Sequence, residues 1–199
     1  MSLLLIQAFS LLTDAPLLLP REYPPLRQLE AEVRTKEKER EAARRALTLE
    51  PPKNLTLPYA TYHLATIEAE LAAAEARLAE ARGDRKRAAA EWRKVVAHAA
   101  VHVEVVRKLR VCMPVEEMNA AVGYLAEVRC RLAEIERDGA VLKAELPKHI
   151  ASLQARAKRA AFLLAVKAIS PEEGRLVQSE TEKELRRARA LLDAFRPAK

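Results

Sequence analysis

The sequence predicts an all-α protein: a long antiparallel coiled-coil hairpin with two shorter flanking helices that form a four-helix base. Three observations carry that expectation. Glycine is scarce, 4 in 199 residues, and aromatic residues make up only 4%, which is poor material for a packed sheet. A 32% charged fraction beside an apolar half rich in Ala and Leu is the composition of long helices. Most directly, apolar residues recur at heptad spacing through the middle of the chain.

Residues 1–20, MSLLLIQAFSLLTDAPLLLP, form an apolar leader. Leu3 to Leu12 has the length of a signal-peptide core and is too short to cross a bilayer as a helix. No Lys or Arg precedes it, so two readings stand: a signal segment cleaved near Ala15, or an apolar arm that docks on the helices. Residues 21–199 are expected to form a single elongated helical domain. Its first helix spans about 25–50, with Leu26, Leu29, Val33, Ala43 and Leu47 as the apolar stripe and Pro51-Pro52 as its end.

The second helix, about 59–112, carries the strongest periodicity. One seam position reads Leu64, Leu71, Leu78, Arg85, Trp92, Ala99 and Val106, and its companion reads Ile67, Ala74, Ala81, Ala88, Val95, His102 and Leu109. A third helix, about 115–169 and kinked near Pro147, repeats the rule as Met118, Leu125, Leu132, Gly139 and Leu146 with Ala121, Val128, Ile135 and Leu142. Folding these two helices together about Met113 pairs Leu109 with Met118, His102 with Leu125, Val95 with Leu132, Trp92 with Ile135 and Ala88 with Gly139. The last helix, about 172–196, opens on a capping-box-like Ser170-Pro171-Glu172-Glu173 and carries Val177, Thr181, Leu185, Ala188, Leu192 and Phe195 on one face. The first and last helices are shorter than the central pair, so they cover only the end remote from the corner.

The corner itself reads RKLRVCMPVEEM, Arg107 to Met118. Pro114 suits the first turn of the outgoing helix, where Glu116 and Glu117 complement the dipole, and Arg107, Lys108 and Arg110 complement the preceding C-terminus. Leu109, Val111, Met113 and Val115 make an apolar tip and are the candidate partner-binding residues. The run from Leu71 to Glu136, with its LAEVRCRL stretch and Glu117-Met118, resembles the periplasmic helical hairpin of TolC-type outer-membrane efflux proteins over roughly residues 59–136. Val111 stands where that family has its turn glycine, and Pro114 where it has a capping Ser or Thr. The resemblance implies a hairpin of similar build in the cell envelope or periplasm. No strand-rich segment supplies the family's β-barrel.

The remaining chemistry-bearing residues point to structural roles. His98 and His102 share a helix face at i, i+4, but no third ligand stands at metal-site spacing nearby. His63 and His149 are expected at ordinary polar positions of the base. Cys112 and Cys130 would lie about 27 Å apart along one helix, beyond disulfide reach, with Cys130 on the outward face. Basic clusters at Arg82–Arg87, Arg107–Arg110, Arg156–Arg159 and Arg186–Arg189 interleave with acids, and the formal charge is only +7. That argues for a solvated helix surface and against a nucleic-acid track.

No catalytic, cofactor-binding or metal constellation stands out. The expected function is a non-enzymatic structural or interaction protein that presents a coiled-coil arm to proteins, itself included, with peripheral envelope contact. The alternative is a cytoplasmic coiled-coil adaptor or nucleic-acid-associated factor.

Overall fold

A helix stops where its last carbonyls find partners outside the helical ladder, and the chain does this in the middle of both expected long helices. The computed structural model describes residues 21–49, 57–109 and 115–195. Among them are six helices and no strand: α1 Leu26–Leu49, α2 Leu57–Ala81, α3 Arg85–Lys108, α4 Val115–Glu136, α5 Gly139–Ala165 and α6 Pro171–Ala194. The all-α expectation holds, and α1 and α6 match the expected flanking helices. The expected 59–112 helix is instead divided at residues 82–84. The expected 115–169 helix is divided at residues 137–138, while α5 runs through Pro147.

The same device makes both breaks. Gly83 takes a left-handed backbone at φ 76°, and its N–H bonds the Glu80 carbonyl while the Asp84 N–H reaches back to Ala79 at 2.9 Å. This is the Schellman closure that satisfies the last carbonyls of a helix. Asp84 then caps α3 by accepting from the Arg87 N–H at 3.0 Å. At the second break Arg137 takes φ 60°, the Asp138 N–H bonds Ala133 at 2.8 Å, and the Asp138 carboxylate accepts from the Val141 N–H at 3.0 Å. A third turn follows α5: Lys167 is left-handed at φ 57°, and Ser170 and Glu173 complete a reciprocal capping box. The hydrogen bonds from Ser170 hold the Glu173 carboxyl below its ordinary range.

The chain therefore forms two compact units, Arg21–Val111 and a unit containing Cys112–Lys199, where a single domain over 21–199 was expected. In the first, α1 and α3 both pack on α2. In the second, α4 and α6 both pack on α5. The central helix α2 is buried on several sides through Ile67, Ala69, Leu71, Ala72, Ala73, Ala74, Ala76, Leu78 and Ala79. A helix with neighbours on two flanks needs apolar residues around most of its circumference, and alanine lets those neighbours come close. The second unit is built on larger side chains: Cys130, Ala133, Leu142, Leu146, Leu153, Ala188 and Leu191 form its core. Gly123 admits a close approach of α4 and α5, because a Cβ there would lie 2.0 Å from Ser152 Oγ.

The two hairpins, α2/α3 and α4/α5, are copies of one pattern. Arg77-Leu78-Ala79-Glu80 recurs as Arg131-Leu132-Ala133-Glu134, and at the same offset Asp84 recurs as Asp138, Ala90 as Ala144, Glu91 as Glu145 and Lys94 as Lys148. Burial follows the same offset. Ala72 and Ala126, Ala79 and Ala133, Ala88 and Leu142, Trp92 and Leu146, Val95 and His149, and Ala99 and Leu153 are all buried. Glu91 and Glu145 are buried acids in both copies, each paired with the lysine three residues on.

Replacing either capping aspartate, Asp84→Ala or Asp138→Ala, is expected to cost about 1 kcal/mol. Arg137→Gly is expected to gain up to about 1 kcal/mol, because glycine carries no Cβ penalty at positive φ. Urea denaturation of the three variants checks both signs; a silent Asp84→Ala would mean that α3 does not begin at its cap.

Candidate functional site

Both units bury polar groups between their helices. In the first, the Glu80 carboxylate collects two donors from different elements. The Trp92 indole N–H on α3 donates to Oε1 at 2.5 Å, and the Tyr23 hydroxyl ahead of α1 donates to Oε2. Trp92 is 3% exposed, so its ring is buried as its seam position predicted, with the indole nitrogen satisfied inside its own unit. α1 buries little beyond Leu29 and is held to α2 by a ladder of ion pairs: Glu30–Arg82 at 2.6 Å, Glu32–Arg77, Lys36–Glu70 at 2.7 Å and Arg44–Glu68 at 2.5 Å. Glu39 and Glu70 hold the Lys36 ammonium above its ordinary range.

Toward the open end of the same hairpin, α2 and α3 meet through polar rings. Tyr62 lies with its ring centroid 6.0 Å from those of His98 and His102, and its hydroxyl meets His102 Nδ1. Thr66 Oγ1 lies 3.5 Å from His98 Nε2. His102 was expected against Leu125; in the structure it faces Tyr62. Nearer the turn, Glu75 of α2 faces Arg87 at 3.6 Å. Burial, with the Glu91 charge beside it, pushes the Glu75 carboxyl up despite Arg87 and Lys94.

The second unit places its charges deeper. Arg187 of α6 grips Glu134 of α4 with two parallel bonds, 2.9 Å and 2.5 Å, and the Glu134 side chain is 7% exposed. Glu145 is buried between Arg129 at 3.3 Å and Lys148 at 3.2 Å. His149, expected at an ordinary polar position, is buried with Nε2 3.6 Å from Glu184, whereas His63 is exposed. A shallow groove of about 260 Å³ opens at the α4/α5 turn beside Arg129, Glu136, Asp138 and Glu145.

Of the four expected tip residues, Leu109 and Val115 are described and exposed, at 51% and 70%. Val111 and Met113 lie outside the described residues, as do Cys112 and the corner at 110–114. Cys130, expected on the outward face, is buried at 2% exposure. The turn at Arg137–Asp138 determines which side of α4 meets α5, and that side carries Gly123, Ala126, Cys130 and Ala133. Arg85 and Gly139, read as seam residues inside long helices, are instead the first residues of α3 and α5. Among the described residues no three of His, Cys, Asp and Glu gather to hold a metal ion, and no helix is long and apolar enough to cross a membrane.

Removing one partner of a buried ion pair leaves the other uncompensated, so Glu134→Ala is expected to cost about 3–5 kcal/mol. The double variant Glu134→Leu/Arg187→Leu should lose far less, which thermal and urea unfolding of the single and double variants will separate. Glu75→Gln should raise stability at neutral pH, where the native fold disfavours the Glu75 charge. That gain should vanish below the ordinary carboxylate value of 4.5, where the acid is protonated in both states; a gain that persists at acid pH would mean the charge is not its source. Compared with protein-family models, curated proteins and solved structures, the chain matches none of them.

Proposed function

We propose that the protein is a non-enzymatic structural and interaction protein whose helical units present apolar surfaces to other proteins, further copies of itself included. The observation that carries this reading is the exposure of large apolar side chains at the helix ends that flank residues 110–114, Leu109 on α3 and Val115 on α4. Each unit thus leaves a large apolar side chain uncovered at a helix end, the kind of exposure that a partner protein would cover.

The TolC-like resemblance supports a place in the cell envelope, with the likeness confined to helical hairpin build. The chain has two short hairpins, α2/α3 and α4/α5, in place of one long coiled-coil arm. A second reading, a cytoplasmic adaptor, is favoured by Cys130, a core cysteine held in no disulfide, since disulfides are rare in a reducing compartment.

Leu109→Asp/Val115→Asp is expected to lower the sedimentation-derived mass of the full chain toward that of a monomer, with helix content by circular dichroism unchanged. A wild-type chain that sediments as a monomer at high concentration and recovers no partner through these residues would contradict the proposal. Cell fractionation with mass analysis of the mature N-terminus separates the compartments: cleavage near Ala15 favours the envelope, and an intact start in the cytosol favours the adaptor.

A further inference from the structure

The hydrogen-bond roles at the open end of α2/α3 can be worked out from the heavy atoms. The Thr66 hydroxyl donates to the Tyr62 carbonyl at 3.0 Å, so its proton is committed and its oxygen can only accept from His98 Nε2–H. Neutral His98 therefore carries its proton on Nε2 and leaves Nδ1 bare. The Tyr62 hydroxyl shares a hydrogen bond with His102 Nδ1, which a neutral imidazole makes in either tautomer because the hydroxyl can donate or accept. Burial pushes the Tyr62 hydroxyl up, so it remains a donor through the neutral range. Every hydrogen bond of the cluster is thus made with both imidazoles uncharged.

Protonation upsets this arrangement. A proton on one imidazole places a cation in the partly buried seam between α2 and α3. The second proton goes onto a ring one helical turn away, so two cations share one seam. The charged groups of the neighbouring turns offer little relief. Glu70 on α2 is engaged by Lys36 of α1 at 2.7 Å, Glu68 by Arg44 at 2.5 Å, and Glu104 on α3 by Arg107 at 2.7 Å. His63, the other imidazole on α2, is exposed.

We propose that Tyr62, Thr66, His98 and His102 form an acid-sensitive latch that holds α2 and α3 together at their open end and releases them on mild acidification, with the Gly83–Asp84 turn staying closed. The copied hairpin lacks it. At the positions of Tyr62, Thr66, His98 and His102 it carries Glu116, Ala120, Ser152 and Arg156. Its own His149 faces the Glu184 carboxylate, so a proton arriving there meets an acid instead of a second imidazole. Release is therefore confined to one unit, and the other serves as an internal reference.

The direction of the pH effect follows from burial. Desolvation, then the His102 charge, hold His98 below its ordinary value of 6.5, with only Glu70 opposing. The unfolded chain therefore binds more protons than the native one just below that value. The latch contributes fully above pH 6.5, and its contribution is lost as pH falls through the lower folded value.

Hydrogen exchange of the full chain, corrected for intrinsic pH dependence, tests the latch. Protection of amides in 62–70 and 98–106 is expected to fall about tenfold per pH unit for each linked proton below pH 6.5, while residues 120–133 and 142–153 hold steady. His98→Gln/His102→Gln should abolish the pH dependence. Equal loss in both units, or the same loss in the double variant, would overturn the proposal. Should that variant fail to fold, the imidazole proton resonances of the wild-type chain decide it, because a His98 that titrates at or above 6.5 contradicts a latch closed by neutral rings.

Discussion

A run of heptad-spaced residues continues as one helix only while each carbonyl finds the N–H four residues on, and the chain ends that ladder deliberately at residues 82–84 and 137–138. At each place a left-handed residue turns the last carbonyls onto following N–H groups, and an aspartate one position later caps the next helix. The rest of the structure depends on this pairing of stop and start. It sets the register that lets Trp92 reach Glu80, brings the His98–His102 face onto Tyr62, and turns Cys130 into a core. A left-handed residue other than glycine costs roughly 1–2 kcal/mol, so Arg137 is tolerated because the cap and the packing that follow offset it.

The two hairpins share this frame and stabilise it differently. The first relies on alanine, which permits close helix approach but buries little area per residue, and supplements it with exposed ion pairs along α1. Such pairs are each worth at most about 1 kcal/mol. The second fills the same positions with Leu142, Leu146 and Leu153 and places Glu134–Arg187 where solvent is nearly excluded. A buried pair adds little net stability over a hydrophobic one, yet it penalises any register that separates its members. Differences at equivalent positions show the division of labour. Glu75 and Glu91 repel across the first seam, whereas their counterparts Arg129 and Glu145 attract across the second.

Much of this was legible in the sequence. Helical composition, the ends of α1 and α6, the Ser170 capping box and the burial of Trp92 all follow from local rules. The long central helices did not survive, for a physical reason visible at two residues. Arg85 and Gly139 were the two members that fitted the heptad seam worst, and each marks a place where the helix had already ended. The signals that would have found the breaks are Gly83-Asp84 and Asp138-Gly139, a glycine beside a capping aspartate. The RLAE repeat at a constant offset would have placed both turns at equivalent points. Heptad periodicity could not expose them, because a hairpin that folds back on itself needs the same apolar stripe as a helix that continues. The tyrosine–histidine seam was half legible: the i, i+4 histidines were plain, but their partner on α2 depends on the turn.

Distances within each unit test the central claim most directly. With the native cysteines replaced by alanine, spin labels at His63 and Glu104 would be about 60 Å apart along one continuous helix at 1.5 Å per residue. Labels at Ala120 and Lys158 would be separated nearly as far. Two hairpins with helix axes 8–10 Å apart place both pairs within roughly 25 Å, label linkers included. Pulsed dipolar spectroscopy giving short distances for both pairs is the result this structure requires, and a distance near 60 Å for either pair would show that its helix runs unbroken.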